Sequence, residues 1–531
     1  MKASHDHRTP YVSTVMAAGV LIAVVATGVN LVRTFRMREM APAMQMQSTE
    51  ASRALHGMPL ADMPEMYVAG VGIVLFLLGA ALRPTRPPPG PSDGSPSSAR
   101  GFAVATVATF GLTIDISKTS TLGFVIPGLR AEYGISPQAA SFLAVAGLSG
   151  TALGAIVFGS LADRLGRRPA YLLATLGFAV TSMCGSMPSF AGNLVMCAVM
   201  GLAVGGLAPL LVTVLADEFH GRRAHWVVGL SVVATAVGYL VAAGSALWLE
   251  PIFGWRVLWL IGAPTGLVLI ALTPVIPARR RSPESPALGD DISASVVLVL
   301  SRDVQKLFAF LIGLLTFGLA TWVPSVARSG GVSVTTANQL LTMTALVMVP
   351  CALVVAVAYR RTGPITLLAV LAGGAACVMI ALTAVGTIAS IGWLAVGVLA
   401  AVLFLVNTMA AVFLPIAATL TGYDTRGRAT GRVSLFNRLG GLCGPLLLAQ
   451  FVSTTRGVLA ATAVLAVATA AAAFLLGARR RWLVRAPAPA LAAEENSVSR
   501  PVGPSDCPPP GAPVDSRCSG TVTARRDRAA M

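Results

Sequence analysis

The chain has 531 residues, 55% of them hydrophobic and 11% charged, with a formal net charge of +17 at pH 7. A soluble globular domain carries about a quarter of its residues as Asp, Glu, Lys and Arg, so an ordinary soluble protein is excluded. Nucleic acid is excluded as the reason for the positive charge, because the arginines lie in short clusters between apolar runs and not on one soluble face.

Apolar runs near twenty residues recur along the sequence, each long enough to cross a bilayer core. Lysine is confined to Lys2, Lys118 and Lys306, a bias that reads as the composition of a GC-rich bacterial genome. The seven cysteines show no CxxC or Cys/His metal spacing, so neither a metal nor a cofactor is expected.

Two apolar runs open the chain, at about 11–32 and 65–82. The first is long for the apolar core of a signal peptide, and no small-residue cleavage site clearly follows it. Both are expected to be membrane helices, with the intervening loop from Arg33 to Glu65 facing outward. Arg33, Arg36 and Arg38 work against that placement. Around this loop lie Met37, Met40, Met44, Met46, Met58, Met63 and Met66, with His56. Thioethers suit Cu(I), but the spacing is irregular, and adaptable apolar packing is the preferred reading. A Pro/Gly/Ser-rich linker, 83–100, closes this first segment, 1–82.

Residues 101–478 read as twelve spans, at about 102–128, 138–160, 169–188, 192–216, 225–249, 256–276, 306–327, 335–358, 364–385, 389–416, 431–453 and 457–477. The first span carries Asp115 and Lys118 near its centre, where each ionised group costs on the order of 3 kcal/mol or more. Three residues apart, they share a helix face and are expected to touch. Either Asp115 exchanges a coupling proton while Lys118 holds an anionic group, or the two neutralise each other as a structural pair.

After the second span comes Gly159-Ser160-Leu161-Ala162-Asp163-Arg164-Leu165-Gly166-Arg167-Arg168-Pro169. It is a charged turn wedged between two apolar runs. Its glycines suit tight reversal and close helix approach, and its arginines hold the turn on the cytoplasmic side. The fourth span exits through Asp217-Glu218, followed by Arg222 and Arg223. Glu218 is expected to reach Arg164, Arg167 or Arg168; the alternative is a set of solvated headgroup charges. Clusters at Arg279–Arg281, Arg360/Arg361, Arg426/Arg428 and Arg479–Arg481 continue the alternation, whereas the opposite loops hold mostly single arginines. Both termini are therefore expected in the cytoplasm.

A longer loop, 279–305, divides the spans into six (101–278) and six (306–478). The spacing of Pro209, Glu218 and Arg222 recurs in Pro415, Asp424 and Arg428, which points to two homologous halves. In the eleventh span, Asn437 and Arg438 are buried candidates for a carboxylate-binding fork, with snorkelling to the interface as the alternative for Arg438. Asn407, Gln339 and Trp322 are weaker pocket candidates. Residues 479–531 are expected to form a disordered tail.

The Gly159–Pro169 turn resembles, nearly residue for residue, the signature loop of the major facilitator superfamily of secondary transporters. Asp115-Ile116-Ser117-Lys118 with Gly123-Phe124-Val125-Ile126-Pro127 resembles the first span of its aromatic-acid and metabolite–proton symporters, where a second aspartate stands in place of Lys118. Gly254-Trp255-Arg256 and Pro283-Glu284-Ser285-Pro286 resemble sugar-porter elements. The glycine–proline pattern of drug antiporters is absent from the fifth span.

The resemblance implies an all-α integral membrane protein: a twelve-helix fold of two six-helix pseudo-repeats, preceded here by two extra helices. It implies a monomeric, multi-pass transporter of the cell membrane, not an enzyme, that moves a small anionic organic solute with protons by alternating access. Drug or metabolite efflux, and a non-transporting sensor or scaffold, are the alternatives. Gly159, Asp163, Arg164, Gly166, Arg167, Arg168, Glu218, Arg222, Asp424 and Arg428 would form a cytoplasmic latch. Asp115, Lys118, Asn437 and Arg438 would form the coupling and substrate site.

Overall fold

The computed structural model describes residues 8–40, 60–82, 98–182, 187–219, 223, 225–277, 302–329, 333–362, 364–385, 393–419, 426–451 and 455–485. Among these residues the chain is helical and contains no strand. Two helices, α1 (Arg8–Met40) and α2 (Pro64–Ala81), form an N-terminal hairpin. There follow α3 (Ser98–Tyr133), α4 (Pro137–Leu165), α5 (Arg167–Ser182), α6 (Phe190–Gly205), α7 (Leu207–Glu218), α8 (His225–Phe253), α9 (Val257–Leu260) and α10 (Gly262–Ala271). After the central loop come α11 (Arg302–Ser329), α12 (Val334–Thr362), α13 (Pro364–Val385), α14 (Trp393–Thr419), α15 (Arg426–Ala449) and α16 (Thr455–Arg485). By its contacts the chain divides after Gly477, and the second unit is described only through the end of α16.

Among the described residues, nine helical segments are long and apolar enough to cross a membrane. Three helices outside that group, α3, α14 and α15, bring Asp115, Asn407 and Arg438 to one cavity. Helix ends follow local chemistry. Ser136 caps α4 by accepting from the Ala139 amide, with Pro137 at the first helical position. Ser189 caps α6 by accepting from the Gly192 amide. Gly166 ends α4 at φ +94°, which L side chains rarely adopt, and so lets the chain reverse into α5.

Close helix approach explains much of the glycine content, because in lipid the contact between helices is driven by packing rather than by escape from water. A Cβ on Gly205 would lie 2.2 Å from the Thr151 carbonyl oxygen, and one on Gly206 would lie 2.2 Å from Phe158 Cβ. The fourth expected span is divided into α6 and α7 at these two glycines. In the second half, a Cβ on Gly313 would lie 1.8 Å from the Asn437 carbonyl oxygen, and one on Gly440 would lie 1.9 Å from that of Phe310. Backbone contact thus fixes α11 against α15.

The N-terminal hairpin closes on itself at Gly19 and Gly72, where either Cβ would come within 2.6 Å of the other's carbonyl oxygen. Arg33, which sat badly in an outward loop by charge alone, pairs with Glu65 at 2.9 Å across the mouth of the hairpin. Ala23, Ala26 and Ala69 pack on Leu176 and Val180 of α5, and Leu31 and Met66 pack against Leu260 and Ala263. Met63 is buried with Met187, flanked by Met66 and Met196, so at these positions methionine serves as packing. Residues 41–59, with Met44, Met46, Met58 and His56, lie outside the described residues, as do 83–97, 278–301 and 486–531; the ends of the expected linker (98–100) and central loop (302–305), and the start of the expected disordered tail (479–485), are instead helical.

Candidate functional site

Helices from both halves enclose a cavity of about 140 Å³, measured as space open to the centre of a water molecule. At about 30 Å³ of liquid volume per water, it has room for a few waters or one small organic ring. Its walls are mostly apolar, and its polar groups come from Asp115, Thr119 and Ser120 of α3, Ser231 and Thr235 of α8, Thr316 of α11, Asn407 of α14, and Ser434, Asn437 and Arg438 of α15.

Asp115 and Arg438 are the charged residues of this lining. They are 3% and 7% exposed and face the same cavity. Asp115 Oδ1, Arg438 Nη1 and Thr316 Oγ1 are buried without a hydrogen-bond partner. Orphaned polar atoms of this kind are expensive in a low-dielectric interior. Three of them around one cavity amount to a site prepared for a polar guest. Arg438 lies over the Phe317 ring, with its guanidinium carbon 5.2 Å from the ring centroid. It therefore does not reach for the interface but is held inside, one edge against an aromatic face and one nitrogen free.

Lys118 departs from the expected pairing with Asp115. Its Nζ donates to the carbonyl oxygens of Leu258 at 2.9 Å and Trp259 at 3.4 Å. The helix α9 is a single turn, whose C-terminal carbonyls have few intrahelical donors, and the Lys118 side chain supplies one to Leu258 and Trp259. Lys118 therefore ties α3 to the broken sixth span, while Asp115 faces the cavity with Arg438. Asn437 is divided between two tasks: it lines the cavity and donates to the Ala309 carbonyl at 3.3 Å.

The basic turn is tied to the neighbouring helices of the first half. Arg167 pairs with Asp217, and Arg168 donates to the carbonyls of Pro274 at 2.8 Å and Ile276 at 2.9 Å. These contacts bind α5 to α7 and to the end of the sixth span, all within the first half. Glu218 sits beside Gly101, where an added Cβ would come within 2.7 Å of Oε1. Arg164 is exposed. Gly159 faces open space, where an added Cβ would meet nothing within 4 Å, so it serves no close approach here. Asp163 lies in the last turn of α4 and Arg428 in the first turn of α15, while Arg222 and Asp424 lie outside the described residues.

Of the weaker candidates, Asn407 lines the cavity. Trp322 is buried and donates to the Pro445 carbonyl at 2.9 Å, and Gln339 is exposed. Thr316 and Phe317 were missed, since a threonine and a phenylalanine in an apolar run carry no distinguishing pattern. Toward the Tyr133 end of α3 the halves touch directly: a Cβ on Gly123 would lie 2.0 Å from the Ala320 carbonyl oxygen.

A family model described as Major Facilitator Superfamily matches residues 101–423. The chain is 27% identical over 352 residues to an inferred niacin/nicotinamide transporter of Bacillus subtilis, covering 64% of this chain and 86% of that protein. It is 27% identical over 283 residues to a gallate transporter of Pseudomonas putida, covering 46% and 62%. Among solved structures it resembles a D-xylose–proton symporter, with a TM-score of 0.57 at 16% identity, covering 71% of this chain and 97% of that one.

Proposed function

The chain belongs to the major facilitator superfamily, and from that membership we propose that it carries a small organic anion, with a proton, across the cell membrane by alternating access. The basic-turn end of the bundle would face the cytoplasm, as the arginine clusters of the sequence require. The protein would work as a monomer, with the lipid bilayer as its solvent.

One observation carries the substrate reading: a buried Arg438 nitrogen without a partner in a cavity that joins the two halves. A guanidinium offers paired donors to a carboxylate, and the Phe317 ring beside it suits a flat guest. The relatives' names, a niacin/nicotinamide transporter and a gallate transporter, support the same class.

Proton coupling follows from charge balance. With Asp115 ionised and Arg438 cationic, the cavity is neutral. Adding an anion alone leaves an uncompensated negative charge in a low-dielectric interior, which is costly. Adding the anion with a proton on Asp115 restores neutrality. Solute and proton would therefore cross together.

The test is uptake by purified protein in proteoliposomes, with an inwardly directed proton gradient and a panel of single-ring carboxylates including nicotinate and gallate. At least one acid is expected to accumulate, and to lose accumulation when the gradient is collapsed. A matched neutral amide such as nicotinamide is expected to be taken up poorly. If no carboxylate is transported, or transport ignores the gradient, the reading fails.

A further inference from the structure

At the end of the bundle opposite the Gly166 turn, the two halves are joined by a buried polar contact that belongs to neither the cavity nor the turn. Asn338, near the start of α12, is fully buried. Its Nδ2 donates to Glu250 Oε2 at 3.0 Å and to the Ala246 carbonyl at 2.9 Å. A side-chain amide has two N–H donors, so both are engaged by the last turns of α8. Glu250 is itself 9% exposed. The same level holds the Gly123–Ala320 backbone contact, and Gln138 Nε2 donates to the Ala449 carbonyl at 3.4 Å.

A carboxylate and an amide are a poor choice if the only task is permanent adhesion. Buried ionic and polar pairs replaced by well-packed apolar groups are often neutral or more stable. Their advantage lies in having two acceptable states. Pressed together they satisfy each other, and parted they are satisfied by water. A leucine pair at the same place would hold the halves shut and penalise every opening into an aqueous vestibule.

We propose that Glu250 and Asn338 are positioning residues of the transport cycle. Their pairing holds α8 against α12, and must break before the cavity is exposed to the side opposite the basic turn. This inference rests on the alternating-access reading above. It assigns no contact with the solute to either residue.

The test needs no knowledge of the solute. Ser120, which lines the cavity, is replaced by cysteine as a reporter. A membrane-impermeant thiol reagent is then applied to right-side-out and inside-out vesicles, and labelling above that of the parent, which has seven native cysteines, is measured. Asn338→Ala and Glu250→Ala are each expected to raise labelling from the side opposite the basic turn by about threefold or more, and to lower it from the other side. Combining them should give less than the sum of the two, because the Asn338–Glu250 bond is lost in both.

Unchanged side preference, or fully additive effects, overturns the assignment. Labelling in denaturant controls for protein amount. If the alanine variants do not accumulate, the shape-preserving Glu250→Gln and the milder Asn338→Ser are read by the same criteria. A reporter labelled from one side only, in every variant, would sink alternating access itself. A reporter labelled from both sides, with a ratio that no variant moves, would sink only the gate.

Discussion

Asp115, Lys118 and Arg438 show what residue type reveals and what it hides. Three ionisable groups in apolar spans mark a functional interior whatever the fold, and that much could be read directly. Spacing then misled: positions three apart on a helix share a face, yet Asp115 faces the cavity and the Lys118 ammonium caps Leu258 and Trp259 instead. The deciding acceptors lie some 140 positions away in sequence, on a break in the sixth span that no local pattern announces. Two substitutions separate the roles. Arg438→Lys keeps the charge but loses the planar fork and its stacking on Phe317, so initial uptake is expected to fall at least about tenfold, the equivalent of about 1.4 kcal/mol. Lys118→Met removes a cap and leaves buried carbonyls unsatisfied at a cost of about 1–3 kcal/mol. Its thermal midpoint in detergent should drop, while the surviving protein retains the wild-type preference among carboxylates. A changed preference would place Lys118 in the solute site after all.

Apolar runs and bounding turns located the helices, because a bilayer demands length and internally satisfied backbone. Bends and partnerships were hidden. The break between α6 and α7 falls where Gly205 and Gly206 meet Thr151 and Phe158 of α4, and a GG pair alone does not tell a helix break from a packing face. Likewise Asp217 and Glu218 are adjacent, about 100° apart around the helix, so sequence cannot say which one meets Arg167. The most exposed consequence at this scale concerns α3 and α11. Gly123 lets the two backbones touch, and a Cβ there would sit 2.0 Å from the Ala320 carbonyl oxygen. Gly123→Ala must push the helices apart at the end opposite the basic turn, and the displaced atom is backbone, which has no flexible end to swing aside. Labelling of a cavity cysteine from that side is therefore expected to increase and net uptake to fall. Gly134→Ala is no fair control because of its positive φ of 61°, whereas Gly244→Ala, with open space around it, should leave both measurements unchanged. Equal behaviour of Gly123→Ala and Gly244→Ala would mean that the contact does not govern closure.

The whole molecule poses a question that composition could not answer, namely whether the N-terminal hairpin is part of the transport machine or an attachment to it. Lipid-facing and helix-facing positions are both apolar in a membrane protein, so the sequence could count the added helices without placing them. In the structure the hairpin lies on the first half, covering Leu176, Val180, Leu260 and Ala263. It contributes no residue to the cavity lining. Every side chain it covers at those contacts is apolar, so removing the hairpin exchanges protein packing for lipid packing and exposes no polar group there to hydrocarbon. The cost is then lost van der Waals complementarity rather than a hydrophobic penalty. A chain beginning near Ser98 is therefore expected to melt several degrees lower in detergent, yet to transport in native lipid within about twofold of the full chain. Leu260 and Ala263 sit directly beyond the carbonyls that Lys118 caps, so any functional loss should be shared by Lys118→Met and be non-additive with it. If the truncated protein instead inserts and melts normally but carries nothing, the hairpin moves with the first half as a working element, and the cavity between the two halves is not sufficient for transport.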